Sequence, residues 1–414
     1  MKKAQTVYLV DGSRTPFSRQ IRRTSKNIVV YDKLDLALTT ARTLLLKQGL
    51  SATLLDSIII ASHTHTNNDN LARQLSQRLQ CNSRCTPNTF TAGENCGLQA
   101  LSYAHQQITF GKKSLILISG VETAETPPIA LNTELSQWIR DWKNSQGFRQ
   151  KIKVFNKLHT KHFHKDTAKD DTKDQYYELH KEIAEKTAYY FSLSTKAMTE
   201  YVKLSQRRLK YAQRNQLIKG IVPIFYPDGT SLHRDEDIIS TNSESLKQTI
   251  LSGNPPTGII SKASIMQKTE GASSLLLASQ EALNKFNLTP LARLSTPTQG
   301  NNDQAIEDLL SQNNYQADDI NYWEWDETSA AEILALEYKP LFKSTEAFQS
   351  LNSINIDGGS LSLGSPNCAN KLRCVLQLAH ILKRNQAHTG ICHFSSANQQ
   401  NNALLLHSIG DHKK

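Results

Sequence analysis

Short apolar strands that alternate with amphipathic helices constrain this chain more than any other feature of its sequence. The run Ser114–Ser119 (SLILIS) is almost continuously apolar, as is typical of a strand covered on both faces in a parallel sheet. Apolar residues at helical spacing cover Leu34–Gln48, and Leu54–Ser62 predicts another strand. Asn88–Thr91 is predicted to enter a turn. This alternation predicts an α/β fold.

The same alternation returns late in the chain, after a polar and charged stretch from Gln137 to about Asp174. We predict helices at Gln304–Leu310 and Lys371–Arg384, and a strand at Ile320–Trp325. The pattern predicts two similar α/β halves separated by an insertion. The N-terminal half comprises residues 1–124 and 246–284, the inserted loop domain 125–245, and the C-terminal half 285–414.

The composition excludes several classes of protein. Apolar residues make up 38% of the 414 residues and charged residues 21%, which indicates a globular chain rather than a disordered one. The net charge of +10 does not require a nucleic-acid partner. Val7–Val10 is too short for a signal peptide, and no run approaches the ~18 apolar residues that span a membrane. Six cysteines without a CxxC pair predict reduced thiols in a cytoplasmic protein and no metal site.

Five short segments carry more specific information than the composition. They are 10–17 (VDGSRTPF), 97–101 (GLQAL), 119–122 (SGVE), 326–331 (DETSAA) and 358–366 (GGSLSLGSP). In this order and at this spacing they resemble the thiolase family over nearly the whole chain. The first segment and the charged insertion most resemble the thiolase subunit of the fatty-acid β-oxidation multienzyme complex. The resemblance implies a thiolase fold with five layers, αβαβα, and an inserted loop domain.

The resemblance also implies a chemistry. Thiolases act on acyl-CoA through two cysteines and a histidine. One cysteine, at the start of a buried helix, attacks the thioester, and the helix dipole and the histidine favour its thiolate form. The second cysteine moves a proton at the α-carbon of acetyl-CoA. A coenzyme A thioester would therefore be the substrate, with no tightly bound cofactor.

Several of these functional positions are changed in this chain. Counting back three residues from Gly97, the nucleophile position holds Glu94, and Cys96 stands where the family has serine. A two-residue deletion would make Cys96 the nucleophile, but it would rotate that residue by ~200° around the helix. We therefore favour the ungapped register with Glu94. Ser365 occupies the histidine position, and Asp326 replaces an asparagine of the family.

The remaining family positions are also altered. Cys392 matches the second cysteine, although polar residues replace the glycine-rich run that follows it. Because its catalytic partners are missing, we favour a buried core thiol over a base as the interpretation of Cys392. In the segment that lies near coenzyme A in the family, this chain has Ser264 and Met266. Both are weak candidates for coenzyme A contacts.

These substitutions leave the question of enzymatic activity open and give three hypotheses. The first is a thiolase-fold protein without thiolase chemistry, a non-catalytic subunit that pairs with itself or with an active thiolase, as in a β-oxidation complex. The second is an active acyltransferase of the 3-ketoacyl-CoA thiolase type that uses Cys96 and Cys392. The third is a non-condensing reaction on a thioester with Glu94 as acid or base. A carboxylate that attacked a thioester would form a high-energy anhydride, so Glu94 is unsuited to carrying an acyl group.

The charged insertion contains one amphipathic pattern. Phe148, Ile152, Phe155 and Leu158 recur at helical spacing and are surrounded by lysine and arginine. A basic amphipathic helix can lie on an anionic membrane surface or in the groove of a partner. The segment 148–164 is therefore a candidate contact surface, and packing on its own domain is an equally good interpretation.

Overall fold

The computed structural model describes residues 4–21, 24–25, 28–29, 31–63, 70–91, 93–123, 133–158, 171–236, 238, 258–343, 351–396 and 400–410. The chain forms two compact units, one made of residues 1–124 and 181–414 and the other of residues 125–180. The boundaries of the three predicted segments stay a prediction.

The first unit consists of a large mixed sheet with helices on its faces. The strands are β1 (Val7–Arg14), β2 (Thr24–Ser25), β3 (Ile28–Val29), β4 (Ser57–Ala61), β5 (Thr86–Phe90), β6 (Leu115–Glu122), β7 (Ile224–Phe225), β8 (Ser231–Leu232), β9 (Gly271–Ser279), β10 (Ala292–Leu294), β11 (Thr298–Asn301), β12 (Tyr322–Asp326), β13 (Thr389–Phe394) and β14 (Gln400–Ser408).

The α-helices belong to both units, and several begin at a capping side chain. They are α1 (Lys33–Lys47), α2 (Leu71–Arg78), α3 (Cys96–Thr109), α4 (Thr133–Asn144), α5 (Phe148–Phe155), α6 (Asp171–Tyr190), α7 (Thr195–Arg214), α8 (Gln280–Phe286), α9 (Gln304–Asn313), α10 (Ala330–Ala335), α11 (Ser360–Leu363) and α12 (Asn367–Asn385). Asp32 before α1 and Ser329 before α10 each accept a hydrogen bond from a backbone N–H of the first turn. These bonds satisfy donors that the helix itself leaves without a partner.

Ten of the described strands form one sheet in the order β12-β13-β14-β10-β1-β9-β6-β4-β5, with β11 paired to β14. Strand β4 runs parallel to β5 and β6, and β12 runs parallel to β13. All eight residues of β6 are buried, which confirms the strand predicted at Ser114–Ser119. The turn predicted at Asn88–Thr91 is wrong, because Thr86–Phe90 forms the edge strand β5. That strand is polar and half-buried, so no apolar run marks it.

Helix α12 lies between the two halves of the sheet, because it contacts β6 and β9 on one side and β12 and β13 on the other. Helix α3 packs beside it, and the two helices share an apolar core with both halves. Helices α1 and α2 cover the opposite face of the N-terminal half, and α9 contacts β11 and β14. This helix–sheet–helix–sheet–helix arrangement confirms the predicted fold class.

The first turn of α12 is pressed against the first turn of α3 and against β6. A Cβ atom added at Gly97 in α3, or at Gly120 in β6, would overlap the carbonyl oxygen of Cys368 in α12. Glycine at both positions therefore permits the backbones to approach this closely. As a consequence, the starts of two helices that are far apart in sequence meet at one place.

A buried ion pair connects the segment that contains Asp235 to strand β1 of the sheet. The guanidinium of Arg14, at the end of β1, binds both carboxylate oxygens of Asp235 at 2.6 and 2.7 Å. The backbone N–H of Phe17 donates to the same carboxylate at 2.8 Å. A buried bidentate pair of this kind fixes the path of the chain at the strand end.

Candidate functional site

The start of α3 brings together two residues that the sequence analysis singled out. Glu94 lies in the 3-10 turn Gly93–Asn95, directly before the helix, and its side chain is half-buried. Cys96 is the first residue of α3 and is fully buried. A carboxylate before a helix N-terminus is favoured by the helix dipole. The position therefore suits the charge of Glu94 whether or not it takes part in chemistry.

Cys96 is bonded to Cys368 of α12 in a disulfide, and the two Cα atoms are 5.8 Å apart. This corrects the prediction that all the cysteines are reduced thiols. The sequence could not indicate the pair, because 272 residues separate its members. While the bond is intact, the sulfur of Cys96 cannot form the thiolate that a nucleophile requires. The other four cysteines are free.

A second polar cluster lies at the end of β12, around Asp326. Its Oδ1 atom accepts hydrogen bonds from Ser360 Oγ at 2.8 Å and from Asn370 Nδ2 at 2.6 Å. Its Oδ2 atom forms an ion pair with Lys371 Nζ. All four side chains are buried, so the charges are compensated inside the protein rather than by water.

Asn370 and Lys371 are the members of this cluster that the sequence did not indicate, and Lys371 is the charged one. Burial opposes its charge, but the attraction of Asp326, with a further contribution from Glu94, outweighs that effect and raises the pKa of Lys371. Its Nζ atom also lies 5.8 Å from the centre of the Phe394 ring. Through Lys371, the charge of Glu94 before α3 is coupled to that of Asp326 at the end of β12.

Glu327 follows Asp326 and anchors three further elements. Its carboxylate accepts hydrogen bonds from the hydroxyl of Tyr201 on α7, from Asn355 Nδ2 at 2.7 Å and from the backbone N–H of Leu361 at 3.0 Å. Burial raises the pKa of Glu327, and these hydrogen bonds oppose the rise. In the sequence, only its place in the thiolase-like segment 326–331 indicated Glu327.

Ser365 immediately precedes Pro366 and the start of α12. Its backbone N–H donates to Gln267 O at 2.8 Å, and its carbonyl accepts from Thr269 N at 3.4 Å. The hydroxyl is buried and has no hydrogen-bond partner among the residues that the structure describes. A serine hydroxyl has no basicity near neutral pH, so this position cannot act as an imidazole would.

Two family models match this chain. The model "Thiolase, N-terminal domain" matches residues 7–281, and "Thiolase, C-terminal domain" matches residues 295–408. The chain belongs to the thiolase family. The resemblance seen in the five sequence segments is thereby confirmed.

Individual relatives of this thiolase-family chain are distant but cover most of its length. The human mitochondrial trifunctional enzyme subunit beta is 24% identical over 97% of this chain and 88% of its own length. A probable acetyl-CoA acyltransferase of Staphylococcus aureus is 24% identical over 88% of this chain and 90% of its own length.

Solved structures share the fold at still lower identity. An acetyl-CoA acetyltransferase from Syntrophomonas wolfei superposes with a TM-score of 0.78 at 19% identity, covering 98% of this chain and all of its own. Human mitochondrial 3-ketoacyl-CoA thiolase in complex with CoA gives 0.77 at 20% identity, covering 98% and 99% of the two chains. These likenesses establish the fold.

The structure does not bring Cys392 to the cluster around Asp326. In the parallel pair β12–β13, Asp326 lies opposite Phe394, whereas Cys392 lies opposite Glu324, two residues earlier. Burial, followed by the nearby Cys374 and Glu324, raises the pKa of the Cys392 thiol well above its usual range. Strand register thus puts Phe394, rather than Cys392, opposite Asp326, and the role of Cys392 as the second cysteine stays a prediction.

The two weak candidates for coenzyme A contacts lie close to the segment that follows Asp326. The backbone N–H of Met266 donates to Thr328 O at 3.0 Å, and the hydroxyl of Ser264 lies 2.8 Å from that of Ser261. The side chains of Ser264 and Met266 are both buried. Neither presents a surface to solvent, and their predicted role stays a prediction.

The second unit contains the predicted amphipathic helix, which is α5. Phe148, Ile152 and Phe155 are exposed by 81%, 44% and 57%, while Trp138 on α4 donates to Val154 O at 2.8 Å. The residues from 159 to 164 lie outside the described part of the chain. Contact of 148–164 with a membrane surface stays a prediction. Among the described helices, none has both the length and the apolarity needed to cross a membrane.

Proposed function

We propose that this chain is a thiolase-family protein of acyl-CoA metabolism that has lost the thiolase reaction and serves as a non-catalytic subunit. The observation that carries the proposal is that the nucleophile segment has no free cysteine at the start of α3. Glu94 occupies the turn before α3, and the nearest cysteine, Cys96, is bonded to Cys368. Without a thiolate at this helix start, the covalent route through an acyl-enzyme is closed.

The surroundings of Asp326 support the same proposal. An oxyanion site requires donors that are free to bind the developing charge of the substrate. Here the donors Ser360, Asn370 and Lys371 are directed at a carboxylate of the protein itself. The cluster therefore stabilises its own charges, and a substrate oxyanion would have to compete with Asp326 for these donors.

The ligand class and the partner are proposed from the relatives. The human relative is named as a subunit, and one solved neighbour is bound to CoA. We therefore propose a coenzyme A thioester as the ligand, and a second copy or an active thiolase as the partner. The edge strand β5 suits such pairing, because it ends the sheet close to Glu94 and no described strand covers its outer side.

The competing proposal is an active acyltransferase that uses Cys96 and Cys392. It requires reduction of the bond between Cys96 and Cys368, and it keeps the predicted role of Cys392 as the second cysteine. The decisive experiment is thiolysis of 3-ketoacyl-CoA by the wild type and by Cys96→Ala, each with and without a dithiol reductant. An active thiolase serves as the assay control.

We expect no turnover above background in any arm, because one lost oxyanion donor already costs roughly 10²–10³ in rate and loss of the nucleophile costs more. Turnover that is present in the reduced wild type and disappears in Cys96→Ala would establish the acyltransferase instead. Pairing is tested separately by sedimentation. A monomer at micromolar concentration, also after addition of an active thiolase, would contradict the subunit role.

A further inference from the structure

A cavity of about 770 Å³ opens at the other end of the sheet, away from the cluster around Asp326. Strand β13 begins at Thr389, which lines this cavity, and ends at Phe394, beside Lys371. The volume falls in the range of about 300–1,000 Å³ that is usual for small-molecule sites. The thiolase-like positions described above do not contribute to it.

The floor of the cavity is a row of side chains from four neighbouring strands. Tyr8 of β1 lies opposite Arg293 of β10, Arg293 lies opposite His407 of β14, and His407 lies opposite Thr389 of β13. Residues paired directly across strands project from the same face of a sheet. All four line the cavity, so a single polar and aromatic row faces it.

This row carries one positive charge that no described carboxylate compensates. Arg293 is exposed and forms no ion pair with any residue that the structure describes. Burial, together with the charge of Arg293, lowers the pKa of His407 to about 4, so His407 is neutral at pH 7. The row therefore presents one positive charge, the guanidinium of Arg293, beside the uncharged imidazole of His407. This arrangement suits a ligand with one negative charge better than a ligand with several.

The walls are flat and partly apolar. The ring of Tyr315 lies 5.9 Å from that of His407, and Leu283 and Leu288 contribute apolar surface. The side-chain amide of Asn284 also lines the cavity and can bind a heteroatom. Aromatic walls favour a planar ring, which can stack on them.

From these observations we propose that this cavity is a binding site for a small planar heteroaromatic monocarboxylate. Its carboxylate is held by Arg293, and its ring lies against Tyr315 and His407. The site is separate from the cluster around Asp326. The proposal of a ligand here can therefore be tested independently of the proposed function.

The test uses the full chain and nicotinate as the probe, measured by calorimetry and by ligand-observed NMR. Nicotinamide has the same ring without the charge, and cyclohexanecarboxylate has the charge without the planar ring. We expect saturable binding of nicotinate and clearly weaker binding of both analogues.

In Arg293→Met the Kd for nicotinate should rise roughly tenfold to a hundredfold, as for loss of a hydrogen bond to a charged group. The matched control Arg84→Met removes an exposed arginine outside the cavity and should leave the Kd unchanged. An unchanged melting temperature checks that the variants fold. The proposal is overturned if nicotinate does not saturate, if either analogue binds equally well, or if Arg293→Met binds like the wild type.

Discussion

The two ends of β13 differ in how the surrounding charges are compensated. At its C-terminal end the charge of Asp326 is met by Lys371, with Ser360 and Asn370 completing the hydrogen bonds, and all four side chains are buried. At its N-terminal end Arg293 faces an open cavity and no described carboxylate pairs with it.

This difference in charge compensation separates a region whose charges stabilise the fold from a region that can bind a ligand. A charge compensated inside the protein contributes to stability only while its partner is present, and removing one partner is costly. An exposed, unpaired charge can be removed with little effect on folding. We therefore expect substitutions near Asp326 to act on stability, and substitutions near Arg293 to act on binding.

The largest effect should come from Lys371→Met, which leaves the carboxylate of Asp326 buried without its partner. We expect the free energy of unfolding to fall by about 3–5 kcal/mol, measured by urea denaturation. Combining Lys371→Met with Asp326→Asn should restore most of the loss, because asparagine removes the uncompensated charge and still accepts hydrogen bonds from Ser360 and Asn370.

The matched control for this experiment is Lys186→Met, which breaks the exposed ion pair with Glu182 on α6. An exposed pair at this spacing contributes only about 0.3–0.5 kcal/mol. If Lys371→Met cost no more than Lys186→Met, the cluster around Asp326 would not be a stabilising one, and its donors would be available for chemistry.

The second effect concerns the bond between Cys96 and Cys368. Without reductant, alkylation of the denatured protein should label the four free cysteines, and all six after reduction. The double variant Cys96→Ala with Cys368→Ala should be less stable by about 2–4 kcal/mol than the control Cys374→Ala with Cys392→Ala, which also removes two buried sulfurs. Six labelled thiols without reductant would contradict the disulfide.

Much of the fold was predictable because its central elements carry strong local patterns. The apolar run at Ser114–Ser119 enters β6 at Leu115, and the helix predicted at Lys371–Arg384 lies within α12. The edge strand β5 was not predictable, because its polar, half-buried residues have no alternation. Hydrophobic periodicity in a sequence reflects which side chains are buried. An edge strand that buries few side chains therefore has little periodicity by which it could be predicted.

The candidate site was harder to predict because its contacts join distant segments. Lys371 reaches Asp326 across 45 residues, and Cys96 reaches Cys368 across 272. The family pattern indicated Asp326 but not the ion pair that compensates it. Whether Cys392 or Phe394 stands beside Asp326 depends on strand register, which one sequence does not determine.

The smallest effect should arise at His105, which lies on α3 between the two regions. His105 is buried, and burial lowers its pKa to about 4, against a hydrogen bond to the backbone of Leu294, the neighbour of Arg293. Because the folded pKa lies below the unfolded value of about 6.5, the stabilising effect is complete above that value and is lost as the pH falls toward 4. We expect His105 to account for a loss of about 1–2 kcal/mol between pH 7 and pH 5, measured by urea denaturation as the difference between the wild type and His105→Leu. In His105→Leu this part of the pH dependence should disappear, whereas His233→Leu, at an exposed position, should retain it. An identical pH dependence in wild type and His105→Leu would show that the interior of α3 does not exclude a charge at this position.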